Sequence, residues 1–266
     1  MKFKNSVLLI ALVFVFGVGT RAQEHETKVS PAAPARAGSS ASSVRLGDKL
    51  VVITSPAGFE EAGSQCPKFK ELLIATEDPS NDVLFGHLSA SDCQSVRNGG
   101  QATMNLYTKV SVLRSAREQA ISSADMAAIA VEFRKNGAAI LDPDGPVMKG
   151  VMENAERGLS DIQSKQVALG LSQTQNLGEF NVTPESYSVM LLLTYNVEVQ
   201  GNKTIMPVLA SMTMLKVRQR LVYVNVFRKI TSTAALKTEL KPGVEEVKQF
   251  TTKWVKEILA ANPEDK

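Results

Sequence analysis

The sequence predicts an α+β fold in which helices pack on an antiparallel β-meander, and three observations carry that prediction. Four apolar or alternating segments follow one another in the second half of the chain, at residues 167–174, 187–199, 204–217 and 221–230. The connections between the last three are short, which forces antiparallel neighbours because parallel strands need a long crossover. A helix with one apolar face follows them, and such a helix is expected to lie across the sheet.

The C-terminal amphipathic helix is predicted from Pro242 to Ala261. Pro242 suits the first turn of a helix, and Asn262-Pro263 marks its end. The apolar positions recur at helical spacing and are Val244, Val247, Phe250, Trp254, Val255, Ile258 and Leu259. Burial of this face is expected to contribute about 10 kcal/mol before the entropy cost of folding.

The first half of the chain predicts strands and two further helices. Residues 49–54 and 104–113 have the β-branched or alternating pattern of strands. A helix is expected to start at Ser122 or Ser123 and to stop at Asn136-Gly137. A second helix is predicted over residues 147–163, with its apolar side formed by Val147, Val151, Leu159 and Ile162.

The chain is expected to have three parts. Residues 1–22 have the basic start, apolar run and small residues before a cut that define a secretory signal peptide. The apolar run is shorter than the roughly 20 residues of a membrane-spanning helix, and no span is expected in the mature chain. Residues 23–45 are rich in Ala, Pro, Ser and Gly and predict a disordered linker. Residues 46–266 are expected to form a single α+β domain.

Charge and motifs exclude several classes of function. The whole chain carries a formal net charge of +3, and removal of Lys2, Lys4 and Arg21 leaves the mature chain near neutral, which gives no indication of nucleic-acid binding. The chain has two histidines, and the motifs of zinc hydrolases, dinucleotide enzymes and P-loop proteins are absent. The sequence therefore predicts no cofactor, no metal site and no catalytic residues.

Cys66 and Cys93 are the two cysteines of the chain and lie 27 positions apart. In an exported protein, an isolated pair is most simply a disulfide, although two free thiols or a metal site are alternatives. A loop of this length is expected to stabilise the fold by about 3–4 kcal/mol.

The segment around His87 contains the residue types of a hydrolytic site. His87 could act as a general base, with Ser89 or Ser91 as nucleophile and Asp92 as the group that orients the histidine. Residues this close in sequence seldom form such a site, because its members must converge from separate segments. The favoured interpretation is a polar strand end that leads to Cys93.

Three other groups of residues each have a functional and a structural interpretation. Asp142 and Asp144 offer too few carboxylates for calcium and favour a turn. Lys216, Arg218 and Arg220 could bind an anion, but solvated charges at a hairpin tip are favoured. The methionines of the meander could line an apolar pocket, but a core position is favoured; they are Met190, Met206, Met212 and Met214.

The order of elements resembles the PsbP-like and DcrB-like families of exported α+β proteins. The residues that carry the resemblance are the meander around Tyr187–Ile230 and the helix around Trp254. Most members of these families are non-catalytic, so the resemblance implies an accessory or binding role.

The sequence therefore predicts an exported, non-enzymatic accessory or binding protein of the bacterial envelope, periplasmic or secreted. Its partner would be an unknown envelope protein. One alternative is a module that binds a small hydrophobic ligand or lipid between the sheet and the C-terminal helix. A second alternative is a hydrolase that uses the His87 cluster.

Overall fold

A computed structural model describes residues 41–163 and 165–264, so the predicted signal peptide and most of the predicted linker lie outside the described residues. The strands are β1 Ala41–Leu46, β2 Lys49–Thr54, β3 Phe59–Glu61, β4 Asn81–Ser89, β5 Leu106–Leu113, β6 Val167–Phe180, β7 Ser186–Val199, β8 Asn202–Val217 and β9 Arg220–Lys229. The helices are α1 Ala62–Gln65, α2 Pro67–Ala75, α3 Ala90–Arg97, α4 Ser123–Ile140, α5 Pro146–Gln163 and α6 Leu236–Ala260. A short 3-10 turn covers Arg114–Ala116.

A seven-stranded antiparallel sheet separates two layers. Its strand order is β3-β4-β5-β9-β8-β7-β6, and β1 and β2 form a separate hairpin. The helices α1 to α5 pack on one face of the sheet, while the hairpin and α6 pack on the other face. The predicted α+β class, with a meander and a packed C-terminal helix, is confirmed.

The meander β6-β7-β8-β9 is confirmed by its strand pairing. Two-residue turns join its last three strands, at Gln200-Gly201 and at Arg218-Gln219, and all four residues have positive φ. Positive φ at both turn positions matches the twist of the flanking strands, which is why such tight hairpins are stable.

The strands of the meander bury side chains on both faces. On β8, even-numbered residues face the layer of α1 to α5 and odd-numbered residues face the layer of α6. The four methionines of the meander are all buried in these two cores, as the favoured interpretation predicted. In the interface between the sheet and α6, the helix buries Val247, Trp254, Val255 and Ile258 in one core with residues of the sheet.

The helix α4 begins as predicted but ends later. Ser122 caps it and forms a capping box with Asp125, in which each side chain accepts the other's backbone N–H. The predicted stop at Asn136-Gly137 is wrong, because Gly137 is a buried helical residue packed against the Phe133 ring. The helix continues to Ile140, where the chain enters the turn before α5.

The helix α5 confirms the second predicted helix, but its buried face differs from the predicted one. Ile162 is 45% exposed, whereas the helix buries Met148, Val151, Met152, Ala155 and Leu159. The predicted stripe therefore had the correct helical period but included an exposed position.

Replacement by alanine is expected to have opposite effects on stability at two glycines of α5. A Cβ at Gly158 would lie 1.9 Å from the carbonyl oxygen of Ala75, whereas a Cβ at Gly150 would meet no atom within 4 Å. Gly158→Ala is expected to destabilise the fold by about 2–3 kcal/mol because backbone must move. Gly150→Ala is expected to stabilise it by about 0.5–1 kcal/mol because alanine favours the helix. Urea unfolding measures both changes, and a neutral Gly158→Ala variant would show that α2 and α5 do not pack this closely.

The predicted linker boundary at residue 45 is wrong, because Ala41–Leu46 forms β1. This strand pairs along its whole length with β2 through a two-residue turn at Gly47-Asp48. From Ala41 to Arg45 the side chains alternate between exposed and half-buried, and only Leu46 is fully buried. Pairing with β2 and packing on the sheet, rather than composition, make it a strand.

Side chains from distant segments hold the outer edge of β2. Arg218 Nη1 donates to the Leu50 carbonyl at 3.1 Å, Trp254 Nε1 donates to the Thr54 carbonyl at 2.6 Å, and Asn262 exchanges two bonds with the Val52 backbone. These bonds replace the partner strand that β2 lacks on this side.

The sequence suggested that the basic residues at the hairpin tip are solvated charges, but Lys216 and Arg220 are buried. Arg220 is buried, pairs with Asp48, and donates from Nε to the Leu46 carbonyl at 3.0 Å. Lys216 is also buried and pairs with Glu264 at 2.9 Å. These side chains fix the β1–β2 hairpin and the C-terminus to the sheet.

The helix α6 begins six residues before the predicted Pro242, at Leu236, and ends at Ala260. Pro242 lies inside the helix instead of in its first turn. The predicted apolar stripe is confirmed, because Val247, Trp254, Val255 and Ile258 are buried and its other members pack partly against the same core.

Candidate functional site

The structure places His87 in the core and gives it no access to solvent. His87 lies on β4 facing α6, with its Nδ1 2.9 Å from Thr108 Oγ1 and its ring edge-to-face with Trp254 at 5.3 Å. Burial, together with the charge of Lys70, lowers the pKa of His87 to about 3. The imidazole is therefore neutral near pH 7 and has no contact with the serines of the predicted cluster.

The other members of the predicted His87 cluster have structural roles. Ser89 caps α3 by accepting the backbone N–H of Asp92 at 3.1 Å. The carboxylate of Asp92 accepts the backbone N–H groups of Thr103 at 2.7 Å and Met104 at 3.2 Å. The cluster therefore starts α3 and anchors the loop that follows it, and the structure does not bring the predicted hydrolytic residues together.

Cys66 and Cys93 are joined as a disulfide, with a sulfur–sulfur distance of 2.05 Å. Both side chains are fully buried. Cys66 precedes α2 and Cys93 lies in α3, so the bond ties these two helices together on one face of the sheet.

The predicted acidic positions also serve the backbone. Asp142 Oδ1 accepts the N–H of Asp144 at 3.0 Å and closes the turn before α5. Within residues 41–163 and 165–264, no group of three or more Asp, Glu, His or Cys side chains has the arrangement of a metal site.

A cleft of about 650 Å³ lies at the β4 edge of the sheet and is called the β4 cleft below. One wall is β1, and the other is formed by the C-terminal end of α2 and the first half of β4. Its lining residues are Ser43, Val44, Ile74, Ala75, Glu77, Asp78, Pro79, Asn81, Asp82, Val83, Leu84, Phe85, Arg114 and Arg117.

Two strand edges border the β4 cleft. On the side away from β5, β4 pairs only with β3, through residues 87–89, so its first half has no neighbouring strand there among the described residues. β1 pairs only with β2 in the same part of the chain. A strand edge without a neighbour presents a row of backbone donors and acceptors to the space beside it.

Lys70 covers one point of the β4 edge. Its Nζ donates to the Leu84 carbonyl at 2.7 Å and lies 5.6 Å from the centre of the Phe85 ring. A lysine at an open edge is a common protection against uncontrolled strand pairing. The Lys70 side chain therefore satisfies the Leu84 carbonyl at this point of the edge.

The floor of the β4 cleft is a fixed network of buried charges. Lys109 Nζ lies 2.6 Å from Glu77 Oε2, and the two side chains are 0% and 3% exposed. The other carboxylate oxygen of Glu77 accepts the amide of Asn81 at 2.8 Å. A buried ion pair with additional hydrogen bonds is rigid, so this network fixes the start of β4 relative to β5.

The mouth of the β4 cleft carries a carboxylate held between two guanidinium groups. Asp82 accepts from Arg114 Nε at 2.7 Å and from Arg117 Nη1 at 2.8 Å. Burial raises the pKa of Asp82, but the two guanidinium groups outweigh it and leave the pKa below its usual value. Arg117 also donates to the Arg45 carbonyl on β1 at 3.4 Å, so it links the two walls.

Ile74 supplies an apolar surface beside these charges. Its side chain is 55% exposed at the C-terminal end of α2, and Val44 lies half-buried on the opposite wall. The cleft therefore combines strand edges and an apolar contact with a mouth where two guanidinium groups share the carboxylate of Asp82.

The sequence analysis did not connect residues 77–82 with a site. One signal was present, because Lys109 is a charged residue in the alternating pattern of the predicted strand 104–113. A lysine in the buried part of a strand needs a partner of opposite charge, but the sequence does not identify the carboxylate that pairs with it.

No family model matches the chain, and no curated protein matches it. Two solved structures align with most of it. The Saccharomyces cerevisiae Ran-binding protein Mog1p aligns with 84% of this chain and 94% of its own, at 12% identity and a TM-score of 0.34. A mutant of protein Mog1 aligns with 83% of this chain and 92% of its own, at 13% identity and a TM-score of 0.31.

These comparisons correct two predictions. The resemblance to PsbP-like and DcrB-like families is wrong, since no family model matches and the solved structures that align are Mog1 proteins. The predicted function, an exported accessory or binding protein of the bacterial envelope, is also wrong together with its alternatives, because the solved structures that align are Mog1 proteins. Within the described part of the chain, no helix has the length and hydropathy to cross a membrane.

Proposed function

We propose that the chain is a non-enzymatic binding protein whose β4 cleft receives an extended peptide segment of a partner protein. The observation that carries the proposal is the open edge of β4 facing the open edge of β1 across the cleft. A peptide in extended conformation satisfies such edges through its own backbone, and pockets for alternate side chains supply specificity.

The lining of the cleft supports a peptide with a particular pattern. An apolar side chain would pack between Ile74 and Val44, which removes the exposed apolar surface of Ile74 from water. A carboxylate near the mouth would meet Arg114 and Arg117, which share the single carboxylate of Asp82. The expected ligand therefore carries an acidic residue within a few positions of an aliphatic one.

A non-enzymatic role is supported by the way in which the titratable groups of the cleft are used. Glu77 is bonded to Lys109 and Asn81, and Asp82 to two arginines. Groups held in such bonds fix the walls of the cleft and are not available to contact a bound substrate.

We further propose that the chain is secreted or periplasmic, after removal of residues 1–22. The buried Cys66–Cys93 bond supports an oxidising compartment. The intact mass of the protein from its native host is expected to lack residues 1–22 and the two thiol hydrogens. A chain that keeps this segment and two free thiols would contradict export.

Random-peptide display on the folded chain tests the binding proposal. Selected peptides are expected to share an aliphatic and an acidic residue at fixed spacing. Ile74→Asp is expected to weaken their binding by about tenfold or more, because the aliphatic contact is lost. Val131→Asp is the matched control, since Val131 is 59% exposed on α4 and does not line the cleft.

Two outcomes would count against the proposal. Failure to select any peptide with a shared pattern would remove its basis. Equal loss of binding in Ile74→Asp and Val131→Asp would show that the peptides bind elsewhere or respond to charge alone.

A further inference from the structure

A second groove, called the α6 groove below, lies between the outer face of α6 and the end of β6. Its volume is about 670 Å³, and its lining residues are Phe180, Asn181, Lys248, Gln249, Thr252, Lys253, Lys256, Glu257 and Ala260. The α6 groove is separate from the β4 cleft, because β6 is at one edge of the sheet, β4 lies next to the other edge, and the two sites share no lining residue.

Helical spacing places the polar residues of α6 along the α6 groove in two rows. Residues 248, 252, 256 and 260 are four apart, as are residues 249, 253 and 257. Three of these residues are lysines, Lys248, Lys253 and Lys256, and Glu257 is the one acidic residue of the lining. The groove therefore carries an excess of two positive charges.

The opposite wall is formed by Phe180 and Asn181 at the end of β6. Lys248 Nζ lies 5.9 Å from the centre of the Phe180 ring, so the ring forms an apolar surface beneath a cation. The side-chain Nδ2 of Asn181 has no hydrogen-bond partner, but it is closed off from solvent, so the contact that this wall offers to a bound segment is the Phe180 ring.

We propose that the α6 groove binds an acidic segment of a protein partner, with carboxylates on the three lysines and an apolar side chain on Phe180. The charge of the lining selects acidic residues, and the open shape of the groove fits a protein segment better than a small molecule, which pockets bury almost completely. A membrane surface fits less well, because no lining residue is a large exposed hydrophobic side chain that could insert into lipid. This surface goes beyond the proposed function of the β4 cleft.

Fluorescence anisotropy with a labelled 12-residue peptide of alternating Glu and Leu tests the assignment, and it is measured in the Ile74→Asp background, which removes the aliphatic contact of the β4 cleft. The same peptide with Lys in place of Glu sets the charge specificity. The acidic peptide is expected to bind and the basic one is not. The triple variant Lys248→Glu, Lys253→Glu, Lys256→Glu is expected to weaken binding of the acidic peptide by about tenfold or more. The matched control is Lys149→Glu, Lys237→Glu, Lys241→Glu, which makes the same charge change at exposed lysines outside the groove.

The controls distinguish the groove from general electrostatics and from lipid. The control triple is expected to keep at least about half of the affinity, and equal loss in both triples would overturn the assignment. Binding to phosphatidylglycerol vesicles that is lost in the groove triple, without binding of the acidic peptide, would identify a membrane surface and also overturn it. Ile74→Asp is expected to leave the acidic peptide bound, because Ile74 lines the β4 cleft and not the α6 groove. A failure of the proposal for the β4 cleft can therefore be distinguished from a failure of the proposal for the α6 groove.

Discussion

Glu77→Gln is expected to lower the free energy of unfolding by roughly 3–5 kcal/mol, although the replacement is nearly isosteric. It removes the carboxylate that faces Lys109, whose ammonium group is fully buried in the centre of the sheet. Loss of one partner of a buried ion pair leaves the other charge without its compensation, which is why the cost is high. Urea unfolding monitored by Trp254 fluorescence measures the change.

Two further variants isolate the cause. Glu198→Gln removes the acidic partner of Lys203 at an exposed pair, 3.6 Å apart, and is expected to cost less than about 1 kcal/mol. The double variant Glu77→Leu, Lys109→Met removes both buried charges and is expected to recover most of the stability that Glu77→Gln loses. A loss below about 1 kcal/mol for Glu77→Gln would show that the pair does not hold the floor of the β4 cleft.

The protein is expected to lose stability steeply in acid because of His87. The folded state lowers the pKa of this residue from 6.5 to about 3 through burial and the nearby charge of Lys70. The unfolded chain therefore binds a proton below about pH 6.5 that the folded chain does not bind until about pH 3. Stability from this residue is fully present above pH 6.5, and about 5 kcal/mol is lost as the pH falls through that window.

His87→Asn separates this effect from the titration of carboxylates. The asparagine amide lies where it can keep a hydrogen bond to Thr108, and it does not titrate. The protein with His87 is expected to be more stable than His87→Asn by the largest margin at neutral pH. This margin in the free energy of unfolding is expected to shrink or reverse as the pH falls towards 3. Parallel pH profiles would contradict a buried, neutral His87.

Local patterns in the sequence were sufficient for the meander, α4, α5 and α6. Two-residue turns such as Gln200-Gly201 and the periodicity around Trp254 specify their elements within a few residues. β1 was missed because Ala41–Leu46 has a linker-like composition and becomes a strand only by pairing with β2. The start of α6 differs from the prediction because Pro242 is typical of a first helical turn but lies inside a helix that begins at Leu236.

The candidate sites depend on contacts that no local pattern contains. The β4 cleft brings together three segments that are separate in sequence, which are β1, the stretch from the end of α2 into β4, and the turn with Arg114. The hairpin that forms one wall is held by Arg218, Trp254 and Asn262 from the far end of the chain. For the His87 cluster the error is the opposite one. Its residues are close in sequence, but His87 is buried in the core, whereas Ser89 caps α3 and Asp92 holds the loop after it.

Amide hydrogen exchange on the chain with and without a display-selected peptide tests the central claim most directly. If the peptide adds a strand in the β4 cleft, protection is expected to rise both in residues 81–86 of β4 and in residues 41–46 of β1, and to be absent in Ile74→Asp. Protection confined to other parts of the chain, or unchanged exchange at both edges with the peptide bound, would contradict the account.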